Sequence, residues 1–346
     1  MAKFIQLHLL TSYPPANLNR DDLGRPKTAI MGGVQRLRVS SQSLKRAWRT
    51  SGFFKTGPLS SHAGVRTKEM GTRIQQRLIE GGVSEDDAAA WAGRIAGVFG
   101  KLKKNSIEIE QLAHFSPEEQ KAVQDLADRL IQAGRAPAED ELKLLEKNHT
   151  AVDIALFGRM LAANPFFNTE AAAQVAHAVS VHEAAVEDDF FTAVDDLNEG
   201  VEDVGAAHMG ELEFGAGLFY LYVCIDGDLL KKNLEQKPEL APMAVRALTE
   251  AAAKTAPTGK QNSFASRAYA SYIMAEKGDQ QPRSLVVSFL KPVGGTDYLA
   301  ESIEHLEATC GRMDAAYGPC ADERKVMNVF SGQGALEGIL NFVEGF

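Results

Sequence analysis

The chain has 346 residues, 45% hydrophobic and 24% charged, with a net charge of −9 and three cysteines in no C-x-x-C spacing. That balance fits a globular protein of one to three domains. It excludes a disulfide-stapled secreted scaffold and argues against indiscriminate polyanion binding over the whole surface. The opening MAKFIQLHLLTSYPP lacks the long apolar core and small-residue cleavage site of a signal peptide. No window approaches the roughly 18 apolar residues of a membrane span, so the expectation is a cytoplasmic chain.

In chain order, 4–10 reads as a strand with Ile5, Leu7 and Leu9 on one face and Gln6 and His8 on the other, ended by Tyr13-Pro14-Pro15. Residues 17–33 read as loop, and 34–39 as a short charged strand. A helix follows from about Leu44 to Ser51, with Ser41 as N-cap and Gly52 as stop. From 55 to about 182 the pattern is helical throughout. It includes the Met70/Ile74/Leu78 stripe, a start at Ser84, and a capping box at Ser116-Pro117-Glu118-Glu119. Short helices are expected after Pro137, over 153–161, and from Asn168 or Thr169 to His182. The stretch 183–213 is acidic and loop-like, with Phe190, Phe191 and Val194 as its apolar points. Strands over 214–226 and 284–290 and helices over 241–256, 303–309 and 336–343 complete the reading. The fold class is α+β: a split βαβ, ferredoxin-like sheet with helices on one face and a helical insertion. The RNA-recognition-motif fold shares this topology, but its aromatic stacking signature is absent.

One stretch departs from the acidic balance. Residues 17–54 hold eight Lys/Arg (Arg20, Arg25, Lys27, Arg36, Arg38, Lys45, Arg46, Arg49) against Asp21 and Asp22. A solvated basic face normally intersperses acids and does not favour Arg so strongly over Lys. The planar guanidinium suits phosphate. Ser40-Ser41-Gln42 leads into a helix, whose first N–H groups and dipole favour an anion. Lys45 and Arg49 share one helical face, and Leu44 and Trp48 share the neighbouring one. An extended polyanion held locally explains the island.

Other chemistry is sparse. Gly259-Lys260-Gln261 lacks the second glycine and the Ser/Thr of a P-loop, leaving Lys260 as a second phosphate contact or an ordinary turn residue. Asp188, Asp189, Asp195 and Asp196 read as a solvated acidic loop more readily than as a metal cluster. His177 and His182 are five apart, wrong for a zinc pair on one helix face. No Ser-His-Asp or Cys-His signature is visible, so neither an enzyme nor a metal or other cofactor is expected. Phe190-Phe191 reads either as an apolar pair folded back on the core or as the tip of a protruding finger.

The stretch NLNRDD…GG…RLRVSSQSLKRAWRTSGFF resembles the CasC family, the CRISPR-RNA-binding backbone subunit of the type I-E CRISPR Cascade complex. Further matching segments are Val152-Asp153-Ile154-Ala155-Leu156 with Gly158-Arg159-Met160, Ala176-His177-Ala178 with His182, residues 189–197, Ala207-His208-Met209-Gly210, 214–222, and Gly259-Lys260-Gln261. The resemblance implies a right-hand shape: a palm (1–57 and 214–346), a helical fingers insertion (58–182) and a thumb hairpin (183–213). It implies several copies polymerising head to tail along a CRISPR RNA, beside CasA, CasB, CasD and CasE, with base pairing reading target DNA. It places Arg20, Lys27, Arg38, Ser40, Gln42, Lys45, Arg46, Arg49 and Lys260 on RNA backbone and Met160 at a kinked base. Phe190, Phe191, Thr192 and Val194 fall at the base-displacing thumb. The family often has Trp where Phe190 stands, and extra basic residues where Val34, Gln35 and Thr50 stand. The competing reading is a generic single-strand RNA-binding or RNA-processing protein of the same fold, with the Asp cluster as its metal site.

Overall fold

The computed structural model describes residues 2–193 and 208–346; Val194, Asp195 and Asp196 lie outside them. The chain divides into two compact units, one of Met1–Ser51, Val175–Cys224 and Arg246–Phe346, the other of Gly52–Gln174 and Ile225–Val245. The architecture is α+β, built on an antiparallel sheet.

The first unit holds that sheet. Its strands lie in the order Glu323–Asn328, Tyr272–Gly278, Phe4–Ala16, His208–Asp226, Ala178–Ser180, Val34–Val39, Thr28–Met31. The four central strands follow the split βαβ order, fourth-first-third-second. Phe4–Ala16 is longer than expected because Pro14 and Pro15 fall at exposed positions, where no ladder N–H is needed. Ile5, Leu7 and Leu9 are buried, but so are Gln6 and His8. Both sheet faces are therefore covered, not one.

The second cover comes from Val286–Phe289 and the helix Tyr298–Tyr317, whose Leu285, Phe289, Leu306 and Cys310 pack with Leu10, Tyr220, Tyr272 and Met274. The β-branched run at 284–290 is thus a 3-10 turn whose apolar residues plug the core. The missing fourth strand is Tyr272–Gly278, buried throughout. A strand covered on both faces shows no alternation to read. The Ala-rich 168–182 run is likewise not a helix. It supplies the strands Ala173–Val175 and Ala178–Ser180, the latter pairing with both Val34–Val39 and His208–Asp226, so sheet context overrides helix propensity.

The second unit is helical as expected. Met70–Glu80, Glu85–Gly97 and Pro117–Ala133 bury Ile74, Leu78, Trp91, Ile95, Leu126 and Leu130 in one core. Ser116 and Glu119 form the expected capping box. The 153–161 helix is shorter, Val152–Phe157, because Gly158 turns out at φ 79. After Pro137 only the 3-10 turn Asp140–Leu142 forms.

Under the Tyr298–Tyr317 helix lies a buried polar network. Glu276 is fully buried; it accepts from His8 Nε2 at 3.1 Å and from Arg324 Nε at 2.8 Å, and also from Arg283. Tyr220 O–H donates to His8 Nδ1 at 2.8 Å and accepts from Leu285 N–H at 3.0 Å. All these bonds are satisfied by a neutral imidazole with its proton on Nε2. Burial lowers the His8 pKa against the raising effect of Glu276. Burial alone would raise the Glu276 carboxyl; hydrogen bonds from His8 and Arg283 reverse this and hold it far below the usual carboxylate range.

Both depressed groups contribute stability that is present at neutral pH and lost on acidification. The unfolded chain takes up a proton near pH 6.5 at His8 and near 4.5 at Glu276 that the folded chain refuses. Thermal midpoints are expected to fall steadily from pH 7 to 4. Glu276→Gln leaves Arg283 and Arg324 with Asp314 as their remaining carboxylate and should cost on the order of 3 kcal/mol while flattening the acid limb. Calorimetry across that range checks both; an unchanged midpoint in the variant contradicts the network's role.

Candidate nucleic-acid interface

A strongly basic helix needs an apolar side to hold it. In Ser41–Arg49 that side is Leu44 and Trp48, one turn apart and both buried. Trp48 Nε1–H also donates to the Thr255 carbonyl at 3.3 Å. Lys45 and Arg49 share another side and are half-buried. Burial pushes the Lys45 pKa down, and no ion pair holds Lys45 among the described residues. A desolvated ammonium without a carboxylate favours an incoming anion.

The helix start differs from the expectation in one residue and one partner. Ser40, not Ser41, is the N-cap, its buried Oγ accepting from Ser43 N–H at 3.3 Å. Gly52 is not a stop but opens the short helix Gly52–Lys55. Ser41 N–H, the first helical donor, is taken by His177 Nδ1 at 3.0 Å. Arg38 Nη1 stands 3.4 Å from the same nitrogen. With Nδ1 accepting, the His177 proton sits on Nε2. Burial, then the charges of Arg38 and Lys27, lower its pKa. The His177 Nε2–H, Arg38, Lys27 and the exposed Gln42 are the donors that an anion would meet there. Backbone bonds Lys27 N–H to Asn19 O (2.8 Å) and Arg38 N–H to Lys27 O (2.7 Å) register these segments. His177 was missed as a donor because its segment read as helix, whereas it is an exposed residue in the connection between the strands Ala173–Val175 and Ala178–Ser180.

On the other flank, Arg20 and Arg46 line a cavity of about 710 Å³ together with Asn19, Ser43, Thr50 and Gly259. Asp21 and Asp22 also line it. Gly259 is there because its backbone passes the Leu18 carbonyl so closely that a Cβ would lie 2.3 Å from it. Lys260 follows in the left-handed region at φ 49, half-buried. Two island residues leave the basic track. Arg25 pairs with Glu213 at 3.1 Å. Arg36 is fully buried and donates to the carbonyls of Ser180 and Phe289 at 3.1 and 2.9 Å.

The acidic stretch is not loop throughout. Glu187–Ala193 pairs antiparallel with the beginning of His208–Asp226, Phe190 opposite Glu211, Phe191 opposite Gly210 and Thr192 opposite Met209. Phe190 and Phe191 point to opposite faces of this ribbon. Neither folds into the core: they are 61% and 43% exposed. Phe191 lies over Gly210, where a Cβ would reach within 2.4 Å of its ring. Met209, also exposed, shares the Phe190 and Thr192 face. The stretch reads as loop because a ribbon exposed on both faces needs no alternation. Asp188 and Asp189 diverge to opposite faces. Among the described residues no group of three or more His, Cys, Asp or Glu is placed to hold a metal.

In the second unit, Met160 is 75% exposed while its neighbour Arg159 is buried. Arg159 Nη1 binds both Glu119 oxygens at 2.8 and 2.7 Å, and Nη2 donates to the Glu146 and Phe167 carbonyls. The arginine is an anchor and the methionine the presented side chain.

The sheet face that stacks RNA in an RNA-recognition motif is closed here, since Gln6, His8, Tyr220 and Glu276 are buried. The family model described as CT1975-like protein matches residues 5–338. The chain belongs to the CT1975-like family. A solved chain from a "CRISPR RNA-guided surveillance complex, pre-nicking" is 30% identical, with 99% of each chain covered and a TM-score of 0.85. A second, from a "CRISPR RNA-guided surveillance complex", is 24% identical over 99% of this chain and 100% of that one, TM-score 0.75, and shows the fold. No curated protein matches the sequence. Among the described residues of this family member, no helix is long and apolar enough to cross a membrane.

The geometry around His177 is testable without a ligand. Its ring should titrate below 6.5, the value it leaves. Arg38→Ala should move the midpoint up, toward that value. Histidine-selective NMR across pH 4–9 reads both; a midpoint that stays or falls in the variant contradicts the assignment.

Proposed function

We propose that this chain is a non-catalytic scaffold for a CRISPR RNA within an RNA-guided surveillance complex, the backbone subunit of a type I-E assembly. Several copies line one RNA, each holding its backbone and leaving its bases to pair with target DNA. The observation that carries this is the Ser41–Arg49 helix: fastened by Leu44 and Trp48, it offers Lys45 and Arg49 on one side and Arg46 with Arg20 on another. Lys27, Arg38 and His177 stand at its start. These donors suit phosphates and carry no base-reading pattern, and the closed sheet face leaves no stacking platform. Family membership and the likeness to surveillance-complex chains support the same reading.

In this reading the sheet unit is the palm, the helical unit the fingers, and the Glu187–Ala193/His208–Asp226 ribbon the thumb. Arg20, Lys27, Arg38, Gln42, Lys45, Arg46, Arg49 and Lys260 follow the RNA backbone, with Ser40 shaping the turn. Met160 packs at a displaced base, and Phe190, Phe191 and Thr192 form the wedge, continued by Val194. The partners are CRISPR RNA, further copies of the chain, and the CasA, CasB, CasD and CasE subunits. The work is done in the cytoplasm and needs no cofactor.

RNA recovered with the protein is expected to be one spacer-containing species of uniform length; heterogeneous RNA would sink the proposal. Lys45→Ala combined with Arg49→Ala should weaken RNA binding at least tenfold. Removing two phosphate contacts should also reduce the log K against log salt slope by about 1.4. Fluorescence anisotropy at several salt concentrations measures this, and an unchanged slope would rule out phosphate contact by this pair.

A further inference from the structure

We infer that Asn17 is a positioning residue for the ribbon Glu187–Ala193/His208–Asp226. Together with the Arg25–Glu213 pair it locks the root of that ribbon to the loop that carries Arg20 and Lys27. It thereby fixes where along the RNA the ribbon displaces a base, relative to the phosphates held by the basic track. The inference rests on the scaffold reading, in which the ribbon is the thumb. Asn17 is fully buried, directly after the strand Phe4–Ala16, which lies beside His208–Asp226 in the sheet. Pro14 and Pro15, near the end of that strand, have no N–H to give to a ladder. The Asn17 side chain supplies donors instead. Its Nδ2 donates to the Glu213 carbonyl at 2.8 Å and to the Gly24 carbonyl at 2.9 Å. Glu213 stands opposite Asp188 at the root of the ribbon, and Gly24 lies in the turn between Arg20 and Lys27.

Both amide hydrogens are used, while Oδ1 accepts from no group among the described residues. The side chain is therefore kept for its donors, which neither aspartate nor alanine can replace. A second tie reaches the same residue: Arg25 Nε pairs with Glu213 Oε1 at 3.1 Å. Asp21 shapes the loop for it, its Oδ1 accepting from Leu23 N–H and Arg25 N–H, both at 2.9 Å. One acid of the basic island thus serves the loop. A third contact follows one residue on. The Phe214 ring lies 6.0 Å from that of Phe264, on the short helix Gln261–Phe264 that begins after Lys260.

Asn19 completes the joint. Its Oδ1 accepts from Ser40 N–H at 2.8 Å, and its carbonyl accepts from Lys27 N–H at 2.8 Å. Leu18, between the two asparagines, is buried. Asn17-Leu18-Asn19 therefore grips the ribbon root on one side and the N-cap of the Ser41–Arg49 helix on the other. Buried hydrogen bonds hold position because each tolerates little change in distance or angle. Glu187–Ala193 is exposed along its whole length, so no core beneath it sets its angle. The contacts at its root do.

The test uses the full chain spin-labelled at Glu211→Cys on the ribbon and Glu304→Cys on the Tyr298–Tyr317 helix; the native cysteines are buried. Pulsed electron paramagnetic resonance without RNA should give one narrow distance distribution. Asn17→Ala or Arg25→Glu should roughly double its width, and the charge swap Arg25→Glu with Glu213→Arg should restore it. Arg25 is exposed, so its variants test the tie even where Asn17→Ala fails to fold. An unchanged width in these variants overturns the inference, as does a swap that rescues nothing. On RNA, a single 2-aminopurine walked along the sequence brightens where a base is unstacked. The parent chain should show bright positions at one fixed spacing. In Asn17→Ala and Arg25→Glu the brightness should spread to neighbouring positions. For Asn17→Ala the slope of log K against log salt should stay unchanged, because no phosphate contact is lost. Lower affinity with the bright positions unmoved would mean a merely structural role and overturns the inference. The two readings fail separately. A ribbon that loosens as expected in a chain with no affinity for RNA upholds the tie and removes the scaffold role. Tight RNA binding with bright positions that ignore Asn17 and Arg25 does the reverse.

Discussion

Glu276 sits on the strand next to the sheet edge with its carboxylate fully buried, and much of the architecture answers to that. A buried charge must be paired and hydrogen-bonded. His8, Arg283 and Arg324 supply the partners, and the Tyr298–Tyr317 helix excludes water above them. Once that face is closed, the sheet cannot serve as a stacking platform. Basic side chains gather instead on the Ser41–Arg49 helix.

The basic track then depends on division of labour within one short helix. Trp48 and Leu44, both buried, give it an apolar root. Not every arginine of the island joins in. Arg36, at the same density of positive charge in sequence, is spent on backbone carbonyls and fixes the Gly32-Gly33 hairpin. Arg159 makes the same kind of contribution in the helical unit, where its pairing with Glu119 leaves Met160 at the surface. Buried arginines build the supports, and exposed neighbours do the presenting.

The fold was legible where periodicity or capping chemistry is strong. The Met70/Ile74/Leu78 stripe, the Ser116–Glu119 capping box and the Leu44/Trp48 anchor appear as read. It was illegible where burial removes or equalises the pattern. Tyr272–Gly278 is buried on both faces and Glu187–Ala193 is exposed on both, so neither shows the period of a strand. Residues 168–182 carry helix-forming alanines, yet the sheet takes Ala178–Ser180 as a strand.

By itself the sequence determined the α+β class, the helical insertion and the location of the basic helix, because local spacing and composition encode amphipathic faces, caps and charge density. Tertiary structure alone decided which charges remain available. His177, remote in sequence, accepts Ser41 N–H and joins Arg38 and Lys27, while Arg36 and Arg25 are withdrawn into other contacts. Burial and pairing are long-range properties, and no local pattern in residues 17–54 distinguishes the arginine that holds the hairpin from those that face solvent.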